Sequence, residues 1–319
     1  MKIIYWGKGA RGESCLRALS EWGHDITLVV VQPAQGQELS GVARLANELG
    51  LPFIEPEDPN AREVAKQLEA LEADLFILGG YGKILKQHII DIPRIMCINL
   101  HAGKLPQYRG SSPLNWVLIN GESEFTLSII KVDKGVDTGD VLLDATFPIS
   151  INDTIRDLHA TANRQFPRML VRVVEQIHQG TCQPRKQDGS QAAYYPLRFA
   201  EDGLVFWDMY SVEQIHNRIR ALTEPYPCAF TFFRGQKVKL LSSDLYQGDF
   251  FGEPGRIYRI SPRNGLLVCA KDRCLWVKEA VLFEDGTPLG EVVERYDKLA
   301  TLSEAAMNTT LNTNPEGRQ

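Results

Sequence analysis

The chain of 319 residues is read as an α/β protein, with a mostly parallel sheet flanked by helices followed by a small C-terminal β-barrel. Three observations lead there. Strand-like and helix-like segments alternate over the first 180 residues, a glycine-rich turn follows the first apolar run, and short apolar segments recur between turn residues from about position 229. Repeated strand–helix–strand units favour a parallel sheet, whereas closely spaced short strands favour a sandwich or barrel.

The elements follow in order. Residues 3–6 are apolar and read as a first strand; glycine comes too early for a secretory leader. Residues 14–22 have helical spacing, and residues 26–31 are β-branched in the manner of a buried strand. Helical stretches at 41–49 and 60–71 alternate with apolar runs at 52–54, 75–78 and 97–100, and further strands are expected at 125–132 and 141–147. Asn152 or Asp153 is positioned to cap a long helix carrying Ile155, Leu158, Ala162 and Phe166 on one face, with a kink or restart expected at Pro167. Residues 181–204 are polar and read as a linker or wrapping loop. Ser211 and Gln214 form a capping box ahead of a helix. Strands with turn signals at Arg234-Gly235 and Asn264-Gly265 then build a domain over residues 205–303, and residues 304–319 are expected to be disordered.

Composition excludes several classes. A hydrophobic share of 44% with 24% charged residues is that of a globular chain, and no apolar run reaches the roughly 20 residues of a membrane helix. A cytoplasmic protein is expected. The six cysteines are scattered, Cys269 and Cys274 being the closest pair, so separate reduced thiols and no metal are expected. A net charge of −5 disfavours an obligate nucleic-acid binder without excluding a local basic patch.

Gly7, Gly9 and Gly12 form GxGxxG after the first strand, where a dinucleotide-binding fold places its pyrophosphate turn. The second strand ends Val30-Val31-Gln32-Pro33 and lacks the acid that would hold a ribose, so the glycines are read as serving a tight turn or an anion site.

Chemistry concentrates elsewhere. Asn99 and His101 project to one face at the end of an apolar strand, and Asp137 lies in the glycine-bearing loop Gly135-Val136-Asp137-Thr138-Gly139. An Asn can donate to an oxyanion, a His can carry charge or a proton, and an Asp can orient the His, which together suit acyl transfer to an amine. Spacing alone leaves a structural histidine and a plain turn as strong alternatives.

Asn99-x-His101, Leu105-Pro106-x-Tyr108-Arg109-Gly110-x-x-Pro113, Asn120-Gly121-Glu122 and Asp137-Thr138-Gly139, in that order, resemble the 10-formyltetrahydrofolate-dependent formyltransferases. The chain departs from the family's usual Ser-Leu-Leu-Pro with Gly103-Lys104-Leu105-Pro106. The resemblance implies a Rossmann-like catalytic domain at 1–180 and an OB-like barrel at 205–303. It also implies Asn99, His101 and Asp137 as the catalytic set, and 10-formyltetrahydrofolate as co-substrate. Lys83, Ile84 and Leu85 match the loop that holds the pterin, and Asp133, Lys134, Gly135 and Val136 line the same pocket.

Two acceptors compete within that family. The loop Gln32 to Ser40 carries no Lys or Arg, and residues 205–303 balance 13 basic against 13 acidic residues. Trp116 lies in a segment, residues 113–122, similar to the sugar-directed branch. These features lead to a nucleotide-linked amino sugar (dTDP or UDP) as expected acceptor for surface polysaccharide synthesis, with no nucleic acid and a homodimer carried over from that branch. Methionyl-tRNA is the alternative.

Overall fold

The structure, a computed structural model, describes residues 1–33 and 40–301. Most of the loop noted for lacking basic residues (34–39), and the tail from residue 304, lie outside the described residues. The chain forms two units. The first comprises Met1–Pro113, Glu124–Pro148 and His159–Pro196; the second comprises Leu114–Ser123, Ile149–Leu158 and the chain from Leu197.

In the first unit, β1 (Lys2–Gly7), β2 (Asp25–Val31), β3 (Phe53–Ile54), β4 (Leu75–Gly79), β5 (Met96–His101), β7 (Glu124–Lys131) and β8 (Val141–Pro148) form one sheet. Its order is β3-β2-β1-β4-β5-β7-β8. The first five are parallel neighbours, while β7 runs antiparallel to both β5 and β8. The apolar runs are continuous in β1, β2 and β4 because residues 3–6, 28–31 and 75–78 are buried; strands covered on both faces do not alternate. Connecting helices are α1 (Gly9–Glu21), α2 (Gly41–Glu48), α3 (Arg62–Ala70) and the short α4 (Gln87–Ile90). Ser40 caps α2 by accepting from the Ala43 amide at 3.2 Å.

The strand order reverses at β1 and β4, and ligands of such sheets bind beyond the strand ends at that reversal. The three glycines make the turn there. Gly9 sits at φ +61°, and a Cβ on Gly12 would lie 3.0 Å from the Gly79 carbonyl, so glycine lets α1 close onto the end of β4.

One helix expectation changes. The long helix α6 spans Ile155–His178 and is preceded by Thr154, not capped by Asn152 or Asp153. The Thr154 amide and hydroxyl both donate to Asp157 Oδ2, at 2.8 and 2.7 Å. Pro167 lies inside α6 without ending it. A proline removes one backbone donor, and the buried stripe Phe166, Leu170, Val173 and Val174 outweighs that loss.

His159 on α6 supplies a pH test. Burial, with the Arg11 charge second, lowers its pKa to about 4. The unfolded chain therefore binds the extra proton between about pH 6.5 and 4, so stability is full above that window and falls as pH drops through it. The loss is on the order of 2–3 kcal/mol. Urea midpoints measured from pH 7 to 4 should fall less steeply in His159→Gln; parallel slopes would refute this assignment.

In the second unit, α5 (Pro113–Ile119, which begins in the first) and α7 (Val212–Leu222) accompany an antiparallel sheet. Its strands are β10 (Ala229–Phe233), β11 (Gln236–Leu245), β12 (Ile257–Ser261), β13 (Gly265–Cys269) and β14 (Cys274–Leu282), in the order β10-β11-β14-β13-β12. This is the small C-terminal β-domain expected from the spacing. The expected capping box is present, with Ser211 Oγ accepting from the Gln214 amide and Gln214 Oε1 from the Ser211 amide. Arg234 and Gly235 both take positive φ, the form that two-residue hairpin turns require. Cys269 and Cys274 oppose each other in register across β13–β14. Among the described residues no helix is long and apolar enough to cross a membrane.

Candidate active site

The end of β5 carries the site. Asn99 pairs in register with Leu78 of β4 and Ile130 of β7, and His101 pairs with Ser128 of β7. Two residues apart on one strand, their side chains share a face. His101 is buried, and its two ring nitrogens meet different oxygens. Nδ1 lies 3.4 Å from Asp137 Oδ1, and Nε2 lies 2.6 Å from the Tyr108 carbonyl. Both neighbours are acceptors, so the doubly protonated ring is the form that satisfies both. Gly103 makes the second contact possible, because a Cβ there would lie 2.7 Å from both His101 Nε2 and the Tyr108 carbonyl. The glycine that departs from the family's serine is thus tied to how this ring is held.

Asp137 sits in the β7–β8 connection at φ +53°, a left-handed conformation that Asp tolerates better than most side chains. Its Oδ2 accepts from the Gly110 amide at 2.9 Å, which aims Oδ1 at the imidazole. Asp133 shapes the same loop, accepting from the Gly135 amide and the Thr138 hydroxyl, so its carboxylate serves the loop itself. At Gly139 a Cβ would lie 1.9 Å from the Lys131 carbonyl, so the loop can close only over glycine.

The loop after β4 is pinned from neighbouring segments. Gln32 Oε1 accepts from the Gly82 amide at 2.8 Å, Asn60 Nδ2 donates to the Ile84 carbonyl at 3.0 Å, and Lys83 Nζ donates to the Glu57 carbonyl. Leu85 is buried, whereas Ile84 is 80% exposed. Val136, from the Asp137 loop, is 51% exposed. Exposed aliphatic side chains from two loops, beside backbone amides and carbonyls, suit a flat heteroaromatic ring.

One cavity of about 440 Å³ is lined by Asn99, His101 and Asp137 and by every residue of the expected pterin-side set: Lys83, Ile84, Leu85, Asp133, Lys134, Gly135 and Val136. Tyr81, which opens the segment Tyr81-Gly82-Lys83-Ile84-Leu85 that resembles the pterin-side loop, also lines it, as does Arg11, which sequence reasoning missed. Burial, with Asp58 second, pushes the Tyr81 hydroxyl up to about 12, so it stays protonated. The Gly110 amide and Tyr108 carbonyl, which hold the catalytic candidates, were also missed. Backbone groups leave no residue-type signal, although the Tyr108-Arg109-Gly110 motif marked the place. Among the described residues no cluster of His, Cys, Asp and Glu is placed to hold a metal ion.

Comparison with known proteins gives two family matches, "Formyl transferase" over residues 1–174 and "Formyl transferase, C-terminal domain" over residues 199–289. The chain is 34% identical to a methionyl-tRNA formyltransferase of Geobacter sulfurreducens, covering 91% of this chain and 97% of that protein. It is also 34% identical to the enzyme of that name from Geobacter metallireducens, covering 88% and 91%. A solved N-formyltransferase from Helicobacter canadensis, in complex with folinic acid and dTDP-3-aminofucose, matches with a TM-score of 0.68 over 87% of this chain and 98% of that one. At 19% identity that likeness concerns the fold.

These findings overturn the expected amino-sugar acceptor. Relatives at 31–34% identity over most of the chain carry the methionyl-tRNA name. The homodimer had been carried over from that branch and loses that support, while the exclusion of nucleic acid, drawn from the uncharged loop and the zero charge sum, yields to the same relatives. The physical error was to sum charge over a domain, because a zero sum does not describe where the charges lie.

Proposed function

Because the chain belongs to the formyl transferase family, we propose that it transfers the formyl group of 10-formyltetrahydrofolate to the amino group of methionyl-tRNA. The observation that carries the acceptor is the 34% identity to a methionyl-tRNA formyltransferase across 91% of this chain. A cytoplasmic location goes with that acceptor.

The co-substrate, when bound, supplies a formyl carbon activated by its folate nitrogen. Asn99 is the directed donor to the formyl oxygen as negative charge grows there. His101, held between Asp137 and the Tyr108 carbonyl, adds a positive charge close to that oxygen. Asp137 fixes the orientation of the ring. The uncharged amine forms the new C–N bond as the bond to the folate nitrogen breaks, and the proton lost by the amine ends on that nitrogen. Ile84 and Val136 offer apolar contact to the pterin, and the backbone of residues 82–85 offers it hydrogen bonds.

The second unit supports an RNA partner despite its zero charge sum. Acids and bases there are partly spent on each other, as in Arg234–Asp297, Lys278–Asp244 and Arg273–Glu213. Lys237 and Lys239 instead share a face of β11. Lys237 Nζ stands 3.9 Å from the Phe230 ring centre, and Lys239 Nζ stands 4.9 Å from that of the half-exposed Phe283. Lysines beside aromatic rings suit a phosphate backbone. Replacing both by alanine should weaken methionyl-tRNA binding and flatten the slope of log affinity against log salt by about 2. Affinity unaffected by salt in the wild-type protein would contradict the RNA reading, and an unchanged slope in the double variant would remove this face from it.

A further inference from the structure

We propose that Gln187 is a positioning residue for the reaction, holding the Asp137 loop in the conformation that presents the carboxylate to His101. The inference rests on the role assigned to Asp137 above. Gln187 lies in the polar stretch read from sequence as a linker or wrapping loop. Up to Pro196 that stretch is fastened to the first unit. Val141 and Arg185 exchange backbone hydrogen bonds at 2.9 and 2.8 Å, and β9 (Tyr194–Tyr195) pairs with β6 (Arg109–Gly110). The Tyr108 and Tyr195 rings stack with centres 4.9 Å apart.

Between these fastenings the Gln187 amide is fully engaged. Its Nε2 donates to the carbonyls of Asp137 and Gly139, at 2.8 and 2.7 Å. Its Oε1 accepts from Arg109 Nε and Nη2, at 3.1 and 2.8 Å. Arg109 is buried, and its Nη1 donates to the Tyr194 hydroxyl at 2.8 Å. The guanidinium carries only donors and the two carbonyls only accept, so the amide orientation is fixed from both ends. Asp137 is therefore held twice, through its carbonyl by Gln187 and through its carboxylate by the Gly110 amide next to Arg109. No other side chain fills this place. Glutamate would keep Arg109 but turn an acceptor toward two carbonyls, and alanine would leave those carbonyls and the guanidinium without it.

A positioning role separates from a structural one in the titration of His101, followed by its imidazole C–H resonances in the free protein and independent of any acceptor. Gln187→Ala and the uncharged Gln187→Met should each move that titration in the direction taken by Asp137→Asn. Both should lower kcat by up to about 10²-fold with KM little changed. Combining Gln187→Ala with Asp137→Asn should add little to the single Asp137 change, because both act through one group. A wild-type titration in a folded Gln187 variant would overturn the proposal, as would losses that multiply in the double variant. If alanine prevents folding, the methionine variant, which keeps the side-chain volume and adds no charge, decides the matter. Failure of the acceptor reading would show separately, as no formylation of methionyl-tRNA by wild-type protein while the titrations still couple.

Discussion

His101→Ala is expected to reduce formylation turnover by about 10²–10⁴-fold, the range a positioned acid–base or charged imidazole contributes. The ring is the group on which Asp137, the Tyr108 carbonyl and the cavity converge. The sequence placed His101 at a strand end, where its loss should spare the fold. Burial and two contacts make the substitution less innocent, because removing the ring strips partners from two half-enclosed oxygens. Stability should fall by about 1–3 kcal/mol. The comparison therefore needs circular dichroism to establish the folded fraction, and kcat expressed per folded molecule. A folded alanine variant within tenfold of wild type would remove His101 from the chemistry.

Asn99→Ala should cost about 10²–10³-fold in kcat, as expected for one lost donor to a developing oxyanion, with KM for folate and acceptor nearly unchanged. Here stability should stay close to wild type, because the Asn99 carboxamide makes no hydrogen bond to protein among the described residues and is only partly buried, at the cavity wall. Asn99→Asp should not recover the loss, since a carboxylate repels the charge that the amide would hold. Recovery by aspartate, or a loss confined to KM, would mean that Asn99 serves binding rather than the reacting oxygen.

Much of the architecture was legible because its causes are local. Continuous apolar runs give buried strands at β1, β2 and β4, and Ser211 with Gln214 announces α7 by a side-chain capping pattern. Asn99 and His101 could be paired by strand periodicity alone. Asp137 could be joined to them only through the ordered motifs, since their separation in sequence says nothing of the 3.4 Å contact. Gln187 had no signal. It is an ordinary polar residue in a polar stretch, and only the fold sets its amide between Arg109 and two carbonyls of the Asp137 loop. Pro167 does not end α6, in keeping with the apolar stripe of Leu170, Val173 and Val174 that the sequence continues past it. The acceptor misled for a physical reason: 13 charges of each sign sum to zero whether they are mixed or segregated, so the sum said nothing about a local basic face.

The central claim is that the Asn99–His101–Asp137 cavity formylates methionyl-tRNA. The direct measurement incubates the wild-type protein with 10-formyltetrahydrofolate and methionyl-tRNA, with His101→Ala in parallel, and quantifies formylmethionine released from the tRNA by mild base. Formylmethionine that accumulates with wild-type protein, and falls by at least about 10²-fold with the variant, is the expected result. No formylmethionine from folded wild-type protein, or equal amounts from both proteins, would contradict it.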